Sequence, residues 1–583
     1  MITAPNKSVT APPRDNVIAP LRHASDLAIA FVLAVLLLRT FVLEGYLIST
    51  GSMAPQLCGF HRRIECPACG CVFPFGVAFD ASVDNGEGGI RQPEGLRRLA
   101  TCPNCSQSSI DVQRVPDSHG DQLLVLKHSY DLRTPNRWET VVFRNPAAPS
   151  EAFVKRVVGL PGETLQLVNG DVVINDQPAI KPWQQQLEMR IPVCDLHNTP
   201  HDETWQLPWE LDSGWEHIDD SLVGGGDQPS WVRFRYWRWQ GGKHPVSTPL
   251  SRSAASSDWA AFQERESQLP VVLSARVQYD ELRQLLCCTG VLPAEVQRLL
   301  LINCKNEEFR SAVFRLAALS HLAPVTDRYG YNSMVASPEY IVSDLMLDTR
   351  VSWQQPPRSI DVRVPIGAAL CGIRIEPASG RALLVDLDRG SLIAETPLPP
   401  SALNADSIRL QVSNFDRRLA AAVNGSVLWE GIPAPAAGPP PSPLEVSAAP
   451  SPGAPPDLEK SLDISLRTEQ QRRWAIGTSA GQIHIEELAV FRDVFYTPPR
   501  SQKQHNHSEF PKFLVDPNSY FVQGDNSPVS SDSRSWKHPC VPHSLLIGKP
   551  FLVHLPSKPA TLHFAGLNYP IRLPDWPRIR RIH

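Results

Sequence analysis

The chain has 583 residues, with 56 lysines and arginines against 60 aspartates and glutamates, and its formal net charge is −4. This balance argues against a strongly basic nucleic-acid-binding surface, so no nucleic-acid partner is expected. The length suits about three or four domains. Fifty-six prolines predict a large share of loop or linker. Twelve cysteines are too few at this length to form a disulfide scaffold.

One long apolar segment lies near the N-terminus. Residues 27–38 are apolar throughout, and a membrane span needs about 20 residues. Residues 25–46 supply that length if Arg39 extends its charge toward the interface, so we predict a transmembrane helix there. Basic residues in the preceding tail, residues 1–24, place that tail in the cytoplasm. A cleaved signal peptide and a buried helix are the alternatives.

Three short motifs carry the candidate chemistry. The first, Ser-Thr-Gly-Ser-Met-Ala-Pro at 49–55, directly follows the apolar segment. The second, Phe-Val-Lys-Arg-Val-Val-Gly-Leu-Pro-Gly-Glu, spans 153–163. The third, Gly-Asp-Asn-Ser-Pro-Val-Ser-Ser-Asp-Ser-Arg, spans 524–534. A serine that attacks a peptide bond needs a base to take its proton and a site for the oxyanion, and these motifs are the candidates to supply both.

Lys155 is the candidate base. A lysine can serve in this role if burial lowers its pKa from about 10.4 toward neutrality. Alternation along a strand would point Lys155 to the same face as Phe153 and Val157, toward a dry surface. A single lysine in a strand more often lies on a solvated face or in a salt bridge. The two other motifs favour the Ser/Lys pair instead.

Together the motifs resemble the signatures of bacterial type I signal peptidase, a membrane-bound Ser/Lys protease, over roughly 35–185 and 510–555. The resemblance implies that Ser52 is the nucleophile and Lys155 the general base. It also implies that the amide of Ser52 and the hydroxyl of Thr50 form the oxyanion site. Where the family commonly has Arg-Asp-Asn, this chain has Ser-Pro-Val at 527–529.

The resemblance also implies supporting and substrate-binding residues. Ser530 would orient the lysine ammonium. Asp532 and Arg534 would form an ion pair that supports the site without touching the substrate. Asp525 and Asn526 would fix the turn in which they lie. Shallow apolar pockets would accept small substrate side chains beside a strand-like peptide. The candidate pocket walls are Ile48, Met53, Phe153 and Val154.

The expected function is cleavage of N-terminal signal peptides from secreted preproteins, which makes the chain a serine endopeptidase. It would be a single-pass protein of the inner membrane with a cytoplasmic N-terminus and an extracytoplasmic catalytic domain. Its partners would be preproteins and the lipid bilayer, and catalysis would need no cofactor. One rival is a self-cleaving regulator of the LexA-like kind. Another is a surface binding protein whose protease core is a relic and whose inserted domain binds glycan or protein.

Two Cys-x-x-Cys pairs follow the first motif, within a zinc-ribbon-like insertion at 58–110. Their members are Cys66, Cys69, Cys102 and Cys105. Four thiolates from two tight turns can close a tetrahedral zinc site, and Cys71 is an alternative ligand. The gap between the pairs is longer than usual for zinc. Two disulfides in an oxidising compartment, or reduced thiols, are the alternatives to a structural zinc.

The expected fold is mainly β. Short apolar runs with tight turns predict an all-β catalytic domain made of 47–185 and 506–583. The long stretch between, 186–505, is predicted to be an inserted domain that folds around its own core. Replacing that stretch with a short linker should then leave an active protease.

The inserted stretch is predominantly strand-like. Its strand rhythm loosely resembles a concanavalin-like or laminin-G-like jelly roll, with 205–240 as the first strands and 481–495 as the last. Apolar residues at helical spacing predict a helical segment at 258–322. The dipeptide Asn424-Gly425 predicts a hairpin, and the Pro-rich stretch 433–456 predicts an extended loop.

Overall fold

A computed structural model gives the architecture of the chain. It describes residues 18–77, 99–107, 110–200, 205, 207–235, 245–269, 275–320, 324–332, 340–435, 473–497, 511–564 and 567–582. The predicted cytoplasmic tail up to residue 17, and the predicted Pro-rich loop from residue 436 onward, lie outside these residues.

The N-terminal apolar segment is helical for only part of its predicted length. Helix α1 (Ile18–Leu37) passes into a π-helical turn (Leu38–Val42) and then into strand β1 (Leu43–Leu47). The predicted helix to residue 46 is therefore wrong at its C-terminal end, because the backbone of β1 pairs with residues 122–127. Among the helices that the structure describes, none is both long and apolar enough to cross a membrane.

Short antiparallel strands dominate the first part of the chain. After β1 come β2 (His61–Glu65), β3 (Val72–Gly76), β4 (Leu99–Ala100), β5 (Ile110–Asp111), β6 (Asp117–Ser118), β7 (Gln122–Lys127), β8 (Thr140–Arg144), β9 (Ala152–Gly159), β10 (Thr164–Val168), β11 (Asp171–Ile174) and β12 (Gln177–Pro178). Helices α2 (Ser129–Leu132) and α3 (Trp183–Met189) are short.

Within its described residues, the middle part contains longer strands and three helices. Its strands are β13 (Ile191–Asp195), β14 (Trp209–Leu211), β15 (Trp215–Ile218), β16 (Ser221–Gly226), β17 (Ser230–Phe234), β18 (Pro245–Pro249), β19 (Val277–Asp280), β20 (Leu285–Thr289), β21 (Leu345–Ser352), β22 (Ser359–Ile366), β23 (Ala369–Glu376), β24 (Arg381–Asp386), β25 (Ser391–Pro397), β26 (Ser407–Ser413), β27 (Arg418–Val423), β28 (Ser426–Pro433) and β29 (Ala475–Arg492). Its helices are α4 (Arg252–Glu266), α5 (Ala294–Leu301) and α6 (Glu307–Ser320).

The last part returns to short strands, which complete sheets begun at the N-terminal end. They are β30 (Phe513–Leu514), β31 (Ser519–Gln523), β32 (Cys540–Pro542), β33 (Leu546–Val553), β34 (Ser557–Phe564), β35 (Leu567–Pro574) and β36 (Arg580–Arg581). The chain is thus mainly β, as its strand rhythm predicts.

One eight-stranded antiparallel sheet combines both ends of the chain. Its order is β1-β7-β33-β8-β9-β31-β32, with β36 on β33. Because β9 and β31 are neighbours, the second and third motifs are adjacent despite a separation of more than 360 residues: Gln523 lies opposite Arg156. A four-stranded sheet, β12-β11-β10-β30, again joins the two ends.

The largest sheet has fourteen strands, and β29 passes through its centre. The first half of β29 pairs with β17 and β22, while its second half pairs with β13, β16 and β21. The two halves join at Gly481, which has a φ of 102°. The predicted first and last strands of the inserted stretch are therefore neighbours. At the predicted hairpin, Val423 pairs with Ser426 around Asn424 and Gly425, which have φ angles of 49° and 79°.

The predicted helical segment 258–322 is only partly helical. Strands β18, β20 and β19 form a small sheet, against which α4, α5 and α6 pack around one core. Leu285 and Leu286 lie in β20, where Leu286 and Cys288 point inward. A short apolar run is compatible with a strand as well as with a helix. The spacing of the apolar residues therefore led to a helix being predicted where β19 and β20 form.

The inserted stretch shares buried contacts with the catalytic sheets. Trp138 and Val158 pack in one apolar cluster with Tyr329, Val494 and Tyr496 from that stretch. Although 186–505 also has a large apolar core of its own, its predicted independence from the rest is therefore incomplete.

Candidate active site

Ser52 and Lys155 face each other across the first sheet. Ser52 lies in the turn after β1, and Lys155 lies in the middle of β9. The distance between Lys155 Nζ and Ser52 Oγ is 2.6 Å. The lysine is only 4% exposed, and its Nζ is 5.5 Å from the centre of the Phe153 ring. This distance is short enough for a proton to pass directly between the two groups.

Burial lowers the pKa of Lys155 to about 8. Desolvation is the main cause, because an ammonium loses its hydration in a dry site. The carboxylates of Asp532 and Asp525 oppose the shift, and the guanidinium of Arg534 adds to it. The result is an amine that is neutral in a useful fraction near physiological pH.

Asn526 holds the serine turn from the other side. Its side-chain amide donates to the carbonyl oxygen of Gly51 at 2.9 Å, and its backbone N–H donates to the carbonyl oxygen of Ser52 at 3.0 Å. A Cβ added at Gly524 would lie 2.4 Å from that same Ser52 oxygen. The close approach of the Gly-Asp-Asn turn to the nucleophile therefore requires glycine at 524.

Asp525 forms a buried ion pair with the residue next to the candidate base. Its two carboxylate oxygens accept from Arg156 Nε at 2.8 Å and Nη2 at 2.7 Å, and both side chains are 1% exposed. A bidentate pair of this kind is rigid. It links β9 to the Gly-Asp-Asn turn, so it fixes Lys155 relative to Asn526. The motif-based assignment gave Arg156 no role.

Asp532 and Arg534 form the predicted ion pair, with Nη2 to Oδ2 at 2.6 Å. Burial alone would raise the pKa of Asp532, but the adjacent guanidinium more than offsets this effect, so the pKa lies below its usual value. Arg534 Nη1 also donates to Ser527 Oγ at 2.5 Å and to the carbonyl oxygen of Thr497 at 2.6 Å. The serine that replaces the family's usual arginine thus has a definite structural partner.

Ser530 lies beside the site without the predicted contact. Its Oγ is buried and makes no hydrogen bond to Lys155, but the hydroxyl lies near the Asp532 carboxylate and helps to lower the pKa of Asp532. It would lie 2.3 Å from a Cβ added at Gly524. The structure shows no hydrogen bond through which Ser530 would orient the Lys155 ammonium, and the lysine contacts Ser52. The orienting role of Ser530 stays a prediction.

The remaining predicted residues divide into two groups. Thr50 is exposed and Ser52 is half-buried at the mouth of the site. Ile48 and Met53 are buried, at 7% and 1% exposure, in a cluster that also includes Val154.

Phe153 packs on a different cluster from those pocket candidates, with Phe143 and Trp536. The four pocket candidates therefore do not line one common surface.

The four predicted cysteine ligands meet in one place. Their Sγ atoms all lie within 4.8 Å of one another. The Cys66–Cys105 and Cys69–Cys102 Sγ distances are 3.6 and 3.7 Å. Tetrahedral zinc with Zn–S bonds of about 2.3 Å would separate sulfurs by about 3.8 Å, so the set fits that metal. Cys71 lies outside the group, and all twelve cysteines are free.

The two cysteine turns share one backbone pattern. Gly70 N–H donates to the carbonyl oxygen of Cys66 at 2.9 Å, and Ser106 N–H donates to that of Cys102 at 3.0 Å. Gly70 and Ser106 have φ angles of 69° and 62°. This repetition supports a common ligand for both turns.

Comparison with known proteins bears on the part of the site that carries Lys155 and the Gly-Asp-Asn turn, because Ser52 lies outside the segments that the family model matches. The family model of signal peptidase, peptidase S26, matches residues 114–211 and 469–555. The chain is similar to the type I signal peptidases. Signal peptidase I of Leptolyngbya laminosa is 47% identical over 66 residues, covering 10% of this chain and 32% of that protein. Signal peptidase I of Bacillus caldolyticus is 38% identical over 72 residues, covering 12% and 38%. The chain thus spans roughly a third of the length of these signal peptidases.

Solved structures resemble the chain only weakly. Galectin LEC-6 of Caenorhabditis elegans aligns with a TM-score of 0.16 and 9% identity, over 25% of this chain and 81% of the galectin. The carbohydrate-binding module CBM66 of Bacillus subtilis aligns with a TM-score of 0.19 and 7% identity, over 49% and 92%. Scores of this size do not identify a fold for the inserted stretch.

The sequence motifs did not identify two residues that contact the site although they are distant from it along the chain. Tyr329 and Asn332 hydrogen-bond to the Gly-Asp-Asn turn, and both lie outside the two segments that match the family. No local pattern in the sequence around 324–332 points to such a contact.

Proposed function

We propose that this chain is a serine endopeptidase that cleaves N-terminal signal peptides from secreted preproteins by a Ser/Lys mechanism. The observation that carries the proposal is the 2.6 Å contact between Ser52 Oγ and the buried Nζ of Lys155. The pKa of about 8 supports a base role for the lysine. The similarity to signal peptidases supports the substrate class.

In the first step, neutral Lys155 takes the proton of Ser52 as Oγ attacks the scissile carbonyl carbon. The negative charge that forms on the carbonyl oxygen is stabilised by the backbone N–H of Ser52 and the hydroxyl of Thr50. The lysine ammonium then gives its proton to the leaving amine. Lys155, which is neutral again, then activates a water molecule. The water releases the acyl group from Ser52 and restores the free serine. The step sequence needs no cofactor.

The substrate would bind as an extended strand beside Lys155. Ile48, Met53, Phe153 and Val154 are the proposed contributors to its small pockets. Because Ile48 and Met53 are buried beneath the serine turn, we expect them to shape the pocket floor. Phe153 and Val154 then contact the substrate from opposite faces of β9.

We infer that the apolar residues of α1, together with the π-helical turn that continues it, anchor the protein in the inner membrane, with the N-terminus in the cytoplasm and the catalytic sheets outside. The large apolar side chains of α1 from residue 27 to residue 37 are exposed, for example Leu27 at 72% and Phe31 at 70%. A soluble surface rarely exposes a continuous apolar helix of this kind. Preproteins and the lipid bilayer are accordingly the proposed partners.

We also propose a structural zinc at Cys66, Cys69, Cys102 and Cys105. The ion would tie the turn between β2 and β3 to the loop between β4 and β5, and so stabilise the region that follows the serine turn. The proposed organisation has a catalytic part, 47–185 and 506–583, interrupted by 58–110 and by the long stretch 186–505.

The test is cleavage of a preprotein by the detergent-solubilised full-length chain. Ser52→Ala and Lys155→Ala should each abolish cleavage while leaving thermal unfolding cooperative. Lys512→Ala is the matched control, because Lys512 is an exposed lysine paired only at the surface with Asp176. Cleavage by either active-site variant at the wild-type rate would refute the mechanism. An intact wild-type protein without any cleavage would favour the relic reading instead.

A further inference from the structure

The segment 324–332 reaches the serine turn from within the long inserted stretch. It runs between α6 and β21, and its last residues lie against the Gly-Asp-Asn turn. Nearly 280 residues separate Tyr329 from Ser52 along the chain. The contacts therefore exist only when the inserted stretch is folded onto the catalytic sheets.

Asn332 fixes the orientation of the Asn526 side chain. Asn332 Nδ2 donates to Asn526 Oδ1 at 2.8 Å, and Asn526 Nδ2 donates to Asn332 Oδ1 at 2.8 Å. The same Asn526 Nδ2 donates to the carbonyl oxygen of Gly51. If the Asn526 amide turned over, its oxygen would face that carbonyl oxygen and repel it. With Asn332 oriented as observed, the reversed Asn526 amide would also lose both hydrogen bonds of the reciprocal pair.

Tyr329 holds the backbone of the same turn. Its hydroxyl donates to the carbonyl oxygen of Asp525 at 2.5 Å, and its buried ring lies 4.6 Å beneath the Arg492 guanidinium. The Asp525 carboxylate, on the other side, pairs with Arg156. The Gly-Asp-Asn turn, which hydrogen-bonds to the backbone of Gly51 and Ser52, is therefore held in place by contacts from both the inserted stretch and β9.

Tyr331 closes the space beside the serine turn. A Cβ added at Gly51 would lie 2.2 Å from the Tyr331 ring, and one added at Gly76 would lie 2.3 Å from it. The Tyr331 hydroxyl donates to the carbonyl oxygen of Phe60 at 3.2 Å. The ring therefore packs directly on the backbone that precedes Ser52.

We propose that Tyr329 and Asn332 are positioning residues for Ser52, so that the inserted stretch completes the active site. This inference rests on the proposed function. Neither residue touches the reacting atoms, and both act through the Gly-Asp-Asn turn. Losing either one should leave substrate binding in place and reduce the fraction of turns held in the reactive geometry.

The experiment compares Asn332→Ala and Tyr329→Phe with wild type in the full-length chain. Loss of one positioning hydrogen bond should lower kcat by about 3- to 10-fold and leave KM within about twofold. Tyr279→Phe is the matched control. It removes a tyrosine hydroxyl that donates to a backbone carbonyl, that of Leu250 at 3.1 Å, beside the separate apolar core of α4, α5 and α6. This control should keep the wild-type kcat.

A double-variant comparison separates positioning from general destabilisation. Asn332→Ala should lower kcat strongly in the wild-type background and little in an Asn526→Ala background, because both changes disrupt one amide pair. Equal factors in the two backgrounds, or a wild-type kcat in both single variants, would overturn the inference. Cleavage that Ser52→Ala abolishes upholds the proposed function in either case.

A probe that does not depend on the substrate class completes the test. If wild type cleaves no preprotein, the rate of Ser52 acylation by p-nitrophenyl acetate is measured in the same variants, with Ser52→Ala as the blank. Slower acylation in Asn332→Ala and Tyr329→Phe supports positioning even though the preprotein proposal has failed. Acylation at the wild-type rate overturns it.

Discussion

The pH dependence of cleavage is the sharpest test of Lys155 as the base. Its pKa of about 8 means that about a tenth of the amine is neutral at pH 7 and about nine tenths at pH 9. Because only the neutral amine can accept the serine proton, activity is lost below the pKa and rises above it. We therefore expect kcat/KM to increase by about tenfold from pH 7 to pH 9 and then to level off.

The assay is kcat/KM on one preprotein from pH 6 to pH 10, using the solubilised full-length chain. Enzyme held at each pH and returned to pH 8 should recover its activity, which controls for unfolding. A lysine of ordinary pKa would give a rate that still rises about tenfold per pH unit at pH 9. That result, a flat profile, or an optimum in acid would refute the base role derived from burial.

The same shift predicts a cost in stability. The folded pKa of about 8 lies below the ordinary value of 10.5, so the unfolded chain binds more protons between these values. The free energy of unfolding should therefore rise with pH through this window. Below pH 8 the cost is about 3 kcal/mol. Lys155→Met should remove it, so this inactive variant should be more stable than wild type at pH 7 in chemical denaturation. A variant less stable than wild type at pH 7 would show that burying the Lys155 ammonium does not cost the folded state this free energy.

Three further perturbations test the supporting structure. Asp525→Ala removes the bidentate partner of buried Arg156, which leaves it the Trp138 carbonyl oxygen and Glu188 at 3.9 Å, and should lower the free energy of unfolding by about 3 kcal/mol, as measured by denaturant titration. Purified protein should contain about one zinc per chain, and Cys102→Ser should lose it in elemental analysis; oxidised cysteines without zinc would contradict the site. Replacing 186–505 by a Gly/Ser linker should give a protein without activity, contrary to the behaviour of an independent accessory domain, and wild-type activity would refute this expectation.

Local sequence patterns were sufficient for several elements of the fold. The Asn424-Gly425 dipeptide forms a hairpin because both residues adopt the positive φ angles that its turn requires. The structure has a second hairpin of this kind, in which Ile174 pairs with Gln177 around Asn175 and Asp176, whose φ angles are also positive. Strand periodicity likewise predicted the mainly β architecture. In each case the information lies within a few residues of the element.

The site depends on both local and distant information. The motifs predicted that Ser52 and Lys155 meet, and the structure places their reactive atoms in contact; their roles stay predictions. The position of Ser530 was not predictable, because a motif fixes spacing in the chain and not the rotation of one hydroxyl. The contacts of Tyr329 and Asn332 were invisible to sequence patterns because they join segments that no local periodicity relates.

The boundary between insertion and catalytic part is where the sequence-based picture fails most clearly. Lys181 precedes the predicted insertion, yet its buried ammonium donates to Asp416 and, at 2.7 Å, to Asp493, both from within it.

Cutting out 186–505 would remove both carboxylates and the residues that bury Lys181, and it would expose the apolar side chains of Trp138 and Val158 that pack on this stretch. Losing these contacts together costs more than closing a long loop. Chain length says how easily two ends can be joined. Whether the catalytic part can fold without 186–505 depends instead on the buried contacts between them. Here the ion pairs of Lys181 with Asp416 and Asp493 are such contacts, and they join the inserted stretch to the catalytic part.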